Sequence, residues 1–386
     1  MEAEKIIKAL ADKPLQKKEQ NYLVDRENEI SKLNMLTRYH PFGIFGLCGE
    51  TGVGKTTILN MIDSEEIKKI RISLIHRENK ESILYDLLYT ISLNLSRVEN
   101  HAIKNLAKEV LNWIIEEVAV IKGATLGVSM IAKGDAKYEK TQLPRFNVFA
   151  AHEKLHRLLK TSIEEYGKIA LLIDELDKES KQDVLNVLDS LKFELQQESM
   201  VTIFSLPYSI YREYKQDRMK WNESGNLENI IKDVIFLYEM SDSDILELLL
   251  RRLEGMNGWF KKNALVQIVS FADGNPRDAL WIAQKVAFEN LSEKYVDESK
   301  CKTTIKKIVR EYMGSLILTE IQKKALKLCT DFIGSKEEIL ELFQNSGIKR
   351  TTAYSTLDRL VSSGLILERE GMYRISGKAK IFVSLI

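Results

Sequence analysis

A chain of 386 residues has room for two or three domains, and 44% hydrophobic with 29% charged residues of mixed sign exclude a disordered polymer. A formal net charge of +1 excludes a polycation, so any nucleic-acid contact must come from a local patch. Cys48, Cys301 and Cys329 are odd in number and far apart, which argues against a disulfide framework or a zinc site.

The opening Met1-Glu-Ala-Glu-Lys5 lacks the basic-then-apolar order of a signal peptide, and a cytoplasmic location is expected. Residues 1–20 are polar and basic and read as an N-terminal helix or arm. Gly43-Ile-Phe-Gly-Leu-Cys48 reads as a short buried strand, followed by glycines and a helix over 55–62. Within that turn, Gly49-Glu50-Thr51-Gly52-Val53-Gly54-Lys55-Thr56 matches G-x-x-x-x-G-K-[ST] in full, with Thr57 next. The glycines let successive backbone N–H groups curl toward phosphate oxygens. Lys55 neutralises β/γ charge, the Thr56 hydroxyl suits Mg²⁺, and the following helix adds its positive N-terminal end. These residues point to ATP or ADP with Mg²⁺. A chance glycine-rich turn would not bring a strand before it and a helix after it.

Residues 70–75 alternate like a strand, and 80–95 read as a helix with Ile83, Leu84, Leu87, Leu88 and Ile91 on its apolar side. The apolar stretch 112–132 carries Glu116, Glu117 and Lys122, a poor membrane span, so no membrane partner is expected. Residues 121–140, with Gly123, Gly127 and a Gly134-Asp135 turn, read as a hairpin-like insertion or loop. Residues 168–173 form a continuous apolar run ending in Asp174-Glu175, as a central parallel strand buried on both faces does. In that position Asp174 suits Mg²⁺ and Glu175 suits polarising an attacking water, where an isolated acidic turn would be only solvated charge. Residues 201–204 are a further strand ending at Ser205, a residue placed either to orient that water or simply to end a strand before Pro207.

From Ser241 to Met313 the pattern is purely helical. There Gly274-Asn-Pro276-Arg277 opens a helix, with Pro276 near its first position and Arg277 either exposed or reaching a γ-phosphate. Arg212 and Arg218 are candidates for an arginine supplied to a neighbouring copy.

The phosphate loop, the Asp174-Glu175-Leu-Asp177 strand end and Gly274-Asn-Pro-Arg277 together resemble AAA+ ATPases of the origin-recognition/Cdc6-like and archaeal-type ATPase group. Leu23-Val-Asp25-Arg26-Glu-Asn-Glu29-Ile30 is similar to the V-x-R-x-x-E element those proteins carry before the loop. The resemblance implies that Val24 and Arg26 sit by the adenine and that Ser205 stands at the first sensor, where asparagine is common. Asp25 departs from the commoner glycine of the origin-recognition group.

After residue 314, residues 319–332 read as a helix. Ser335-Lys-Glu-Glu338 is a capping box opening a second, over 337–345, and 349–363 is a third with Ala353, Leu357, Leu360 and Val361 inward. Two short strands around Gly371 follow. Three helices and a hairpin resemble a winged helix-turn-helix. That resemblance implies double-stranded DNA as partner, with Lys349, Arg350, Thr351, Thr352, Ser355 and Arg359 on the third helix and Arg369 on the hairpin. Eleven basic against eight acidic side chains, a net of +3, bias this segment only modestly.

The expected architecture is an α/β P-loop NTPase with a parallel sheet over 1–240, a helical lid over 241–313 and a winged helix over 314–386. The expected function is an ATPase switch that binds DNA. An alternative is a signalling or defence switch in which the nucleotide controls self-association or a partner protein and the C-terminal module is a protein dock.

Overall fold

The computed structural model describes residues 2–63, 66–74, 80–131, 147–219, 226–256, 258–313 and 316–385. The chain divides into two compact units. One, the α/β unit, comprises Arg26–Thr51 and Lys55–Tyr238; the other, the helical unit, comprises Met1–Asp25, Gly52–Gly54 and Glu239–Ile386.

The chain opens with α1 (Glu2–Ala9), which belongs to the helical unit. The α/β unit then runs α2 (Glu27–Tyr39), β1 (Gly43–Gly49), α3 (Lys55–Met61), β2 (Lys68–Ser73), α4 (Lys80–Leu95), α5 (His101–Ile131), α6 (Val148–Tyr166), β3 (Ile169–Asp174), α7 (Lys181–Leu191), β4 (Met200–Leu206), α8 (Tyr208–Arg218), α9 (Asn226–Ile230) and β5 (Ile231–Leu237). All five strands are parallel, in the order β2-β3-β4-β1-β5. Every residue of β1, β3 and β4 is buried, which is why those runs are apolar without alternation. β5 is an edge strand with Lys232 and Asp233 exposed, and that broken pattern hides it from periodicity.

The expected insertion over 121–140 is different in its first half. Residues 121–131 continue α5, in spite of Gly123 and Gly127, and the Gly134-Asp135 turn lies outside the described residues. An isolated glycine costs a helix only about 1 kcal/mol relative to alanine, so two of them do not end a helix of 31 residues.

The helical unit continues with α10 (Asp242–Arg252), α11 (Lys262–Ala272), α12 (Pro276–Glu289), α13 (Glu298–Met313), α14 (Glu320–Leu328), β6 (Ile333–Ser335), α15 (Lys336–Asn345), α16 (Arg350–Ser362), β7 (Ile366–Arg369), β8 (Met372–Ile375) and α17 (Gly377–Val383). Capping boxes open α10 at Ser241–Asp244, α14 at Thr319–Gln322 and α15 at Ser335–Glu338. The three short strands form an antiparallel sheet in the order β6-β8-β7. One continuous apolar core runs through this unit, from Ile6 and Leu10 through Ile268 and Ala283 to Leu357 and Phe382. The segments 241–313 and 314–386 therefore share a core. Residues 1–25 join it because they are bound by side chains of α10 and α12. Gln284 donates to Ile7 O at 2.9 Å, Arg251 to Leu23 O, and Arg277 pairs with Asp12 at 3.0 Å.

Gly377 shows how closely this unit packs: a Cβ there would fall 2.1 Å from Ser270 O. Gly377→Ala is expected to destabilise the protein by about 1–3 kcal/mol through overpacking against backbone, read as a lower midpoint in urea without a change in slope. Burial also pushes the thiols of Cys301 and Cys329 up to about 12 and raises that of Cys48 further. At pH 8 the thiolate fraction is thus far below that of an unfolded chain. All three cysteines are buried, and mass spectrometry after iodoacetamide is expected to find them unmodified until the protein is unfolded.

Candidate nucleotide site and C-terminal surface

Parallel strands expose their last backbone groups at one edge of the sheet, and ligands of open α/β folds bind there. β1 ends at Gly49, β3 at Asp174 and β4 at Leu206. The register sets Leu47 beside Ser205, and Ile173 beside Phe204, so the loop and Asp174 leave the sheet at the same edge on either side of Ser205. The turn 50–54 uses φ values of +92° at Gly52 and +104° at Gly54, a region that disfavours any residue with a Cβ. A Cβ on Gly54 would meet nothing within 4 Å, so its requirement is conformational rather than steric.

Lys55 is only 4% exposed. Its ammonium donates to Gly49 O at 2.8 Å and Glu50 O at 2.7 Å, and pairs with the Asp177 carboxylate at 2.9 Å. In the sequence Asp177 stands out only as the last residue of the Asp174-Glu175-Leu-Asp177 strand end. Its recruitment depends on Glu175, whose φ of +71° turns the chain sharply after β3. Leu176 is then fully buried and Asp177 returns to Lys55. Glu175 itself is half exposed and pairs with Lys178 at 3.0 Å. Burial raises the nearby Cys48 thiol, Lys55 opposes that rise and Asp177 adds to it.

Asp174, 2% exposed, accepts from Arg71 of β2 at 2.6 Å and from the Glu175 amide at 2.9 Å. Arg71 also donates to Asn60 of α3. Ser205 is fully buried, and its hydroxyl has no hydrogen-bond partner among the described residues. A buried hydroxyl left unpaired costs roughly 1–3 kcal/mol, so a polar group is the natural neighbour for it. A turn with glycines at positive φ, a buried ammonium, a buried carboxylate and an orphan hydroxyl at one sheet edge fit a nucleoside triphosphate with a hard divalent cation. Among the described residues no cluster of three His, Cys, Asp or Glu side chains exists to hold a metal by itself. Thr56 and Asp174 suit a cation shared with phosphate oxygens.

The other expected residues have definite surroundings. Val24 is buried in the core of the helical unit. Arg26 is 5% exposed, donates to Tyr238 O at 2.8 Å and lies 3.7 Å from Glu29, so its guanidinium fastens the end of β5. Arg218 donates to Tyr214 Oη at 3.1 Å and Lys232 O at 2.9 Å, and the exposed Arg212 lies over the Tyr208 ring at 5.3 Å. Asn275 caps α12 by accepting from the amides of Arg277 and Asp278, with Pro276 in the first turn. Arg277 is exposed and pairs with Asp12 of the same unit.

At the C-terminal end, Lys349, Arg350, Thr351, Ser355 and Arg359 are exposed and Thr352 is half-buried. Arg369 pairs with Glu239 at 2.7 Å, with the two side chains 21% and 17% exposed. Arg374 pairs with Asp273, and Lys378 with Asp278. Arg369, Arg374 and Lys378 are thus matched by carboxylates of the same unit, pairings that join residues a hundred or more positions apart and leave no local sequence signal.

Residues 26–287 match the model of the KAP family P-loop domain. The chain belongs to the KAP family of P-loop NTPases. No curated protein matches its sequence. Among solved structures, a Walker-type ATPase of Pyrococcus abyssi is 16% identical, with a TM-score of 0.56, covering 98% of this chain and 100% of that one. A RuvB mutant of Thermotoga maritima is 13% identical with a TM-score of 0.43, covering 94% and 95%. A signal-transduction ATPase with a tetratricopeptide-repeat sensor from Pyrococcus horikoshii is 16% identical with a TM-score of 0.35, covering 94% of this chain and 42% of that one. The Pyrococcus abyssi likeness confirms the fold. The KAP model extends beyond the sheet through most of α12, and the family match makes this chain a P-loop ATPase. Among the described residues no helix is long and apolar enough to cross a membrane.

Within this KAP-family domain Arg71 is the partner of a carboxylate that is itself almost fully buried. Arg71→Ala is expected to cost about 1–2 kcal/mol in chemical denaturation, less than a fully buried pair, because Arg71 is 39% exposed and water screens it.

Proposed function

We propose that the chain is an ATP- and Mg²⁺-dependent switch that binds double-stranded DNA through its C-terminal module. The observation that carries the nucleotide part is the buried Lys55 at the first position of α3, after a turn whose glycines have the backbone needed to present amides to phosphates. In this reading the amides of residues 50–57, including Glu50, Thr51, Val53 and Thr57, cradle the phosphates. Lys55 neutralises them, and the Thr56 hydroxyl with the Asp174 carboxylate holds Mg²⁺. The cation supplies charge neutralisation at the β- and γ-phosphates. Glu175 orients and accepts a proton from the attacking water, Ser205 offers a hydroxyl to the same region, and Arg277 answers to the γ-phosphate. Val24 and Arg26 border the base. Arg212 and Arg218 are the arginine candidates for a neighbouring copy.

The DNA part is supported by the order helix, strand, helix, helix, strand, strand over α14 to β8, which is the order of a winged helix, and by the exposed cations of α16 and the residue before it. Lys349, Arg350 and Arg359 meet phosphates, and Thr351, Thr352 and Ser355 approach base edges. A role of the origin-recognition/Cdc6-like kind belongs to this reading. Lys55→Ala is expected to weaken ATP binding by roughly 10- to 100-fold in calorimetry, the worth of one charge-assisted contact. Arg350→Ala is expected to lower duplex affinity and to flatten the salt dependence by about one unit of log–log slope, while Arg369→Ala leaves that slope unchanged. Absence of duplex binding at low salt sinks the DNA part alone.

One observation favours the signalling or defence alternative. Arg369, Arg374 and Lys378 are already matched by Glu239, Asp273 and Asp278, which leaves the hairpin side of the module poor in available positive charge. Nucleotide-dependent growth in mass by light scattering without DNA would support a module that docks protein.

A further inference from the structure

Lys55 carries three donors, and three acceptors take them: Gly49 O, Glu50 O and Asp177. The two carbonyls belong to the loop itself and travel with it. Asp177 does not; it arrives from the turn after β3, and it is the partner that bears charge. A phosphate that reaches Lys55 must therefore take a place now held by an acceptor, and repulsion makes the Asp177 carboxylate the one to leave. Its geometry suits the task. Asp177 is 11% exposed and Lys55 4%, so the pair is screened little by water. The turn that holds Asp177 is anchored by buried Leu176, while the preceding Glu175 sits at a φ of +71°, a conformation that a residue with a side chain adopts at a cost of about 1–3 kcal/mol. Glu175, half exposed, pairs with Lys178.

We propose that Asp177 is the displaceable counter-ion of Lys55: it keeps the buried ammonium neutralised until a triphosphate takes its place, and so sets the affinity and the threshold of the nucleotide site. Asp177 is a positioning residue in this scheme, acting on the nucleotide only through Lys55. The inference rests on the nucleotide reading above. No covalent step is involved; one anionic oxygen replaces another at the same ammonium.

The test uses the full chain, with Asp177→Asn and, should that variant fold poorly, Asp177→Ser, each keeping a polar atom and losing the charge. Melting is followed without nucleotide and with saturating Mg·ATP, and ATP and ADP affinities are measured by calorimetry. The expected result has two parts. Without nucleotide the variant melts about 2–6 °C below the wild type because Lys55 has lost its charged partner, and with saturating Mg·ATP the two melt together. Both nucleotides bind roughly tenfold more tightly, because no carboxylate must be displaced. Equal loss of melting temperature with and without nucleotide would make Asp177 a general structural residue and overturn the proposal. So would unchanged melting and affinity with lost turnover, which would place Asp177 at the attacking water. A wild type that binds no nucleotide fails the nucleotide reading itself, whereas a wild type that binds and a variant that binds no tighter fails only the counter-ion.

Discussion

A lysine buried to 4% exposure at the start of the helix that follows a central strand cannot stand without matched acceptors, since an isolated ammonium in a medium of low dielectric is prohibitively costly. Lys55 meets that demand with two carbonyls of its own loop and one carboxylate from the turn after β3. Much of the α/β unit follows from it. The parallel sheet must bring the ends of β1 and β3 to one edge, with β4 between them. The glycines must curl the loop so that carbonyls face Lys55, and Glu175 must take a left-handed conformation so that Asp177 can return. The second acid–base pair, Arg71 with Asp174, works under the same rule one strand further out.

In the helical unit the governing interaction is packing rather than charge. The core is continuous from Ile6 to Phe382, and backbone approaches so close that glycine is needed at Gly377 and at Gly274, where a Cβ would sit 2.6 Å from Met240 O. Ion pairs decorate this contact. Glu239, Asp273 and Asp278 bracket the turn that opens α12 and hold Arg369, Arg374 and Lys378 of the C-terminal sheet and last helix. Partly exposed pairs of this kind contribute little stability each, but they fix which face of the C-terminal module is available to a partner.

Much of the site was legible in the sequence because its signals are local. G-x-x-x-x-G-K-[ST] is a contiguous backbone requirement, and a fully buried parallel strand announces itself as an uninterrupted apolar run ending in Asp174. Capping boxes at Ser335 and the helix opening at Asn275 are equally local. β5 was not legible, because an edge strand with Lys232 and Asp233 outward lacks the apolar continuity of its neighbours. The first half of the expected insertion was misread because Gly123 and Gly127 look like breakers, yet α5 runs through both.

By itself the sequence determined that this chain is built around a phosphate loop and a strand-end carboxylate, because both are written in consecutive residues. Only the tertiary structure decided what those groups are paired with. Asp177 rather than Glu175 meets Lys55, Arg71 meets Asp174, and Arg369 meets Glu239. The physical reason is that a charge's partner is chosen by distance in space. The carboxylates that reach Lys55, Arg71 and Arg369 come from about a hundred residues or more away along the chain, where no periodicity or spacing records them.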